Sequence, residues 1–113
     1  MTERMEEKLI LLGKPVLISL TRMDCGIEVL ITGGDLPHIG AVSIADPGGH
    51  IHTVMFEGHK DQLISEEWAE ALHRAYRVPA VVSVGIHYDY IDAAGIGLVM
   101  TEMKKMLTRI LNN

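Results

Sequence analysis

One cysteine, Cys25, stands in this chain of 113 residues. No internal disulfide can form, and one thiol beside seven methionines suits a reducing cytoplasm. Long apolar runs are also missing: a bilayer-spanning helix needs about 20 apolar residues in succession, and every run here is far shorter. Basic residues are outnumbered ten to fifteen, for a formal net charge of −5. A broad cationic face for nucleic acid is therefore not expected, although a local positive pocket is compatible with that total. The first residues, MTERMEEK, carry acids where a secretory signal needs a basic and then an apolar segment. There is no GxSxG elbow and no CxxC pair, Cys25 has no histidine near it in sequence, and no carboxylate pair is singled out as general acid and base. The expectation is a soluble, cytoplasmic protein without a membrane or nucleic-acid partner.

What the chain has is apolar residues, 48% of the total, enough for one core and hence one domain over residues 1–113. No repeat, low-complexity segment or linker divides it. LILLGKPVLISLTRM and CGIEVLITGG are apolar, β-branched runs separated by turn chemistry at Asp24 and Gly26, which predicts a hairpin. IGAVSIAD and HIHTVMFEG flank Asp46-Pro47-Gly48-Gly49 and predict a second. The period then changes. Ile64, Trp68, Ala71, Leu72, Ala75 and Tyr76 follow helical spacing, predicting a helix from about Asp61 to Arg77, with Asp61 or Ser65 as N-cap and Pro79 beyond its end. PAVVSVGI reads as a strand buried on both faces. Ile96, Met100, Met103, Leu107 and Ile110 then line a closing helix. The fold class is α+β: a largely antiparallel sheet of about five strands with two helices on one face. Two helices cover such a sheet only in part, so a homodimer is expected to bury the remaining apolar face.

Histidine is the most informative polar residue. His38 in GGDLPHIG, His59 in EGHKD and His87 in VGIHYD stand beside glycine at element junctions, with Asp35, Asp61 and Asp89 nearby. Imidazole with carboxylate suits a divalent metal such as zinc, manganese or iron. Spacing alone proves nothing, because composition gives about 0.8 histidines with an acid two residues later and only two occur. Position carries more weight, since junctions on a small scaffold are where functional groups gather. The alternative, loop histidines satisfied by backbone groups or water, stays open. His50 and His52, two apart on a predicted strand, share a face and either chelate together or are solvated hairpin residues. His73, beside Arg74, is given no role. The helix start at Ala93, Ala94, Gly95 and Gly97 could hold a phosphate, with Lys60 adding a cation, or Asp92 could simply cap that helix.

The ordered trio TGGDLPHIG, EGHKD and VGIHYD, with a helix after the second and another after the third, resembles the small D-type accessory subunits of gallate and hydroxybenzoate decarboxylases, the prenylated-flavin chaperones. With the preceding strands the resemblance covers nearly the whole chain. It implies a dimeric, cytoplasmic, non-catalytic carrier of prenylated FMN, taking the cofactor from a flavin prenyltransferase and delivering it to an apo-decarboxylase large subunit, with a divalent metal helping to hold it. Residue by residue, it makes His38, His59, His87 and Asp89 candidates for the metal. Gly33, Gly34, Asp35, His38, Gly40, Lys60 and Tyr88 become candidates for the cofactor. Ile39, Ile86 and Ile91 would accommodate the flavin or its prenyl carbons, and Tyr88 or Tyr90 would stack on the ring. Two other readings compete: a small metal-dependent enzyme, and a purely structural decarboxylase subunit.

Overall fold

The computed structural model describes residues 1–56 and 60–113. Its elements are β1 (Glu3–Leu11), β2 (Lys14–Met23), β3 (Gly26–Gly34), β4 (Ala41–Ala45), β5 (Ile51–Met55), α1 (Lys60–Tyr76), β6 (Ala80–His87) and α2 (Ala93–Leu111). The six strands form one sheet in the order β1-β2-β3-β6-β4-β5, in which only β3 and β6 run parallel. The α+β arrangement is as expected, with one strand more. The run read as a single first strand folds back at Leu12-Gly13, both at positive φ (52° and 79°), and Leu11 pairs Lys14. Two positive φ values are what a tight two-residue hairpin requires, but leucine, unlike asparagine, gives no sign of it in sequence. The charged Glu3 to Lys8 then extend β1 along the sheet edge, where exposed charge discourages pairing with another chain.

Alternation in the strands sorts the two faces. Ile18, Ile31, Val84 and Ala41 form one cross-sheet row, and Leu20, Val29, Val82 and Ser43 the next, all buried. Ile64, Trp68 and Leu72 of α1 and Val99, Met103, Met106, Leu107 and Ile110 of α2 pack into the same core, so both helices lie on this face. At about 25 cal/mol per Å² of apolar surface removed from water, this layer is the main source of stability. The opposite face carries Leu17, Leu30, Ile44 and Val54, each at least 40% exposed. β6, expected to be buried on both faces, is central in the sheet but keeps Val81 and Ser83 only half-buried there.

Candidate functional site

The C-terminal end of β6, the approach to β4 and the first turn of α1 meet at one corner. Gly40 donates its N–H to Val84 O (2.8 Å), and Phe56 donates to Gly40 O (2.7 Å), so the segment before β4 is laid across the end of β6. The carbonyl of His38 occupies the space that a side chain at Gly85 would need. This crossing presents the His38 ring beside that of His87, with ring centroids 6.5 Å apart and nearly perpendicular planes.

The two rings are held differently. His38 Nδ1–H donates to the carbonyl of Leu36 (2.9 Å), which fixes the ring's orientation and turns Nε2 toward Asp61. That nitrogen stands 3.4 Å from Asp61 Oδ2. Asp61 opens α1 but does not cap it: its side chain is buried, and Oδ1 accepts the N–H of Ile86 (3.1 Å). Burial pushes the Asp61 carboxyl above the ordinary carboxylate range, against the opposing pull of the Ile86 N–H and the nearby His38 and Lys60. His87 Nε2 lies 3.0 Å from Asp89 Oδ1. His38 Nε2 and Asp61 Oδ2 thus face each other, a nitrogen and an oxygen that can share a proton or a cation.

Behind them opens a cavity of about 170 Å³ between α1, β6 and α2. Its inner wall is made by the buried Ile64, Tyr88 and Val99, its sides by the half-buried Ile86, Ile91, Ile96 and Met100, and its mouth by His38, Lys60, Asp61 and His87. Of the residues expected in the core stripe of α2, Ile96 lines this cavity and Met100 both lines it and packs against the core, while Val99 and Met106 are buried in the stripe as well.

The other candidates fall around it. Asp35 is a brace: it donates its N–H to His87 O (2.7 Å), accepts the Asp89 N–H on Oδ2 (2.9 Å) and lies 3.7 Å from Lys14 Nζ. Tyr88 donates its hydroxyl to Lys14 O (3.3 Å), and burial, with Asp35 secondary, raises its pKa. The space beside Gly33, Gly34 and Gly40 is filled by the protein itself: by Pro15 and Val16, by the His87 carbonyl and by the Asp61 carboxylate. Their lack of a Cβ serves packing between segments, and Gly34 also sits at φ 84°. Asp92 caps α2, its Oδ1 accepting the Gly95 N–H (2.8 Å), which occupies the helix start considered for phosphate. His59 lies outside the described residues. In sequence Asp61 reads only as a neighbouring acid or a cap, and its place two residues past a histidine is the one signal it offers.

His50 and His52 gather instead around Asp46, at the far end of β4. His52 Nε2 is 2.9 Å from Asp46 Oδ2 and His50 Nδ1 is 3.3 Å from Oδ1. Both rings are exposed. Contacts to His52 and to the His50 N–H hold the Asp46 carboxyl down at about 2. His73, half-buried, donates Nδ1–H to Val78 O (2.9 Å) at the end of α1. Among the described residues, no three histidine, cysteine or acidic side chains are arranged to hold a metal ion; His38 and Asp61 are a pair. No described helix is long and apolar enough to cross a membrane.

The fold has a close likeness in a solved structure, that of a chaperone complex for yeast 20S proteasome assembly, with a TM-score of 0.66 over 96% of this chain and 94% of that one at 10% sequence identity. The likeness is one of fold, an α+β arrangement of six strands and two helices. Residues 13–113 match the prenylated flavin chaperone LpdD-like domain, and the chain belongs to that family. It is also similar to Protein LpdD of Lactiplantibacillus plantarum, 34% identical over 73 residues, a match covering 60% of this chain and 54% of that protein. The matched region thus spans about half the length of that relative. Membership in a family of chaperones speaks for a non-catalytic accessory protein and agrees with the resemblance drawn from the three histidine motifs.

Proposed function

We propose that this protein carries prenylated FMN between a flavin prenyltransferase and an apo-decarboxylase acting on a hydroxyarylic acid. The observation that carries the site assignment is the close approach of His38 Nε2 and Asp61 Oδ2, 3.4 Å apart at the mouth of a cavity with apolar walls. An imidazole nitrogen and a carboxylate oxygen facing each other are a donor set that fits a divalent cation. His38 and Asp61 would hold it, with His87 and Asp89 adjoining, and its charge would offset that of a phosphate on a protein of net charge −5. Lys60 adds an exposed cation at the same mouth.

Size limits how the cofactor sits. Sites that enclose whole ligands measure about 300 to 1,000 Å³, so a cavity of about 170 Å³ admits one end of a flavin and leaves the rest outside. The exposed Ile39, Phe56 and Tyr90 lie next in sequence or by hydrogen bond to residues of the corner and offer apolar surface for the remainder. Such half-exposed seating suits a carrier that must release its load. The bare apolar face at Leu17, Leu30, Ile44 and Val54 supports a homodimer.

The test is anaerobic mixing with prenylated FMN and manganese or zinc, followed by size exclusion. Flavin absorbance should travel with the protein, be lost on chelation, and move to the larger component when apo-decarboxylase is added. Absorbance that never leaves the small-molecule fraction rejects the proposal.

A further inference from the structure

We infer that Ser43 and Ser65 are positioning residues for Asp61: the hydrogen bond between them, buried where α1 lies on β4, sets where α1 begins and hence where the carboxylate stands at the corner. Its consequence for the cofactor rests on the site assignment above; the placement of Asp61 does not. That carboxylate has little room. Oδ1 accepts the Ile86 N–H (3.1 Å), and the Gly40 backbone lies so close to Oδ2 that no Cβ could stand between them. A slide or rotation of α1 would lose the first contact or drive Oδ2 into the second. Apolar contacts alone do not fix such a register. Ile64, Trp68, Ala69 and Leu72 bury α1 in the core, but that attraction is non-directional, and Ala41 and Ala45, fully buried on the inner face of β4, present only methyl groups.

Direction comes from hydroxyls. Ser65 stands one turn after Asp61 on the same side of α1. It donates to the Gln62 carbonyl (3.1 Å), and its oxygen lies 2.7 Å from Ser43 Oγ. Both serines are fully buried. Ser43 Oγ also lies 2.9 Å from Oγ1 of Thr53, its cross-strand partner on β5, and Thr53 donates to Glu66 Oε2 (2.6 Å). With the Ser65 and Thr53 protons placed on Gln62 and Glu66, the Ser43 hydroxyl is the donor left for both neighbours. One buried side chain thus ties the opening turns of α1 to β4 and β5. A slipped helix would leave buried hydroxyls unpaired, so the network is satisfied in a single register.

Ser43→Ala and Ser65→Ala each remove one oxygen, and the Ile86 amide reports the Asp61 bond directly. NMR shifts and hydrogen exchange are read on the full chain without metal or cofactor. Both variants should lower protection of the Ile86 N–H about tenfold beyond any change in global stability, and move its resonance upfield. Ser65→Ala carries the test should Ser43→Ala misfold. Leu72→Val, two turns further along α1 and fully buried, weakens the core without touching the hydroxyls and should leave the Ile86 resonance in place. An Ile86 amide unmoved in the serine variants, or moved as far by Leu72→Val, would overturn the inference. Through Asp61, the serine variants should also weaken binding of prenylated FMN with manganese severalfold. A displaced Ile86 amide with cofactor binding intact would count against the site assignment alone.

Discussion

The carbonyl oxygen of His38 lies in the space that a side chain at Gly85 would fill, so the segment before β4 rests on bare β6 backbone. That contact aims the His38 ring at the corner. Gly85→Ala should therefore cost about 3 kcal/mol or more in stability. Gly97→Ala, in α2 with open space where its Cβ would stand, should instead gain up to about 1 kcal/mol from helix propensity. Urea unfolding of the two variants checks both signs.

Asp61→Asn should stabilise the protein near neutral pH. The carboxyl is raised in the folded state, mainly by burial, so between the ordinary carboxylate value and that raised value the folded chain binds the extra proton. Stability then falls as pH rises through this window and stays lower above it. Asparagine keeps an oxygen for the Ile86 N–H and removes the buried charge. Melting temperatures from acid to neutral pH should slope downward in the native protein and less so in the variant, while cation binding at the corner declines.

Asp46 works with the opposite sign. Held at about 2 by His52 and the His50 N–H, it contributes stability above its ordinary value, and that contribution is lost as pH falls toward about 2. Asp46→Asn should flatten the acid limb of the stability profile, read by far-UV circular dichroism between these limits, and leave the His38 corner unaffected.

The elements were largely readable from the sequence because their periods are clean: alternation in β2 and β3 and the three-and-four spacing of Ile64, Trp68 and Leu72 each mark a face. The turn at Leu12-Gly13 was not, because nothing in a leucine announces a positive φ. At the site, glycine-flanked histidines gave His38 and His87 as candidates, and the fold sets their rings side by side. Asp61 was hidden by its position, since an acid at a helix start normally reads as a cap; only the fold turns it inward to the Ile86 N–H. The roles of Gly34, Gly40 and Gly85 were equally out of reach, because each answers to a segment distant in sequence.

The uncovered sheet face predicts association. Light scattering should give twice the chain mass, and Leu30→Glu with Val54→Glu, both on exposed positions, should give the single-chain mass with the fold retained. An unchanged mass in that double variant would place any association elsewhere.

The most direct measurement is equilibrium dialysis of prenylated FMN with a divalent metal against the native protein, His38→Ala and His87→Ala. Loss of a ligand to the metal should weaken cofactor binding about tenfold or more in His38→Ala, with a smaller loss in His87→Ala, and chelation should reduce the native protein to the same level. Equal binding by all three proteins, with and without chelator, would contradict a cofactor site at the His38–Asp61 corner.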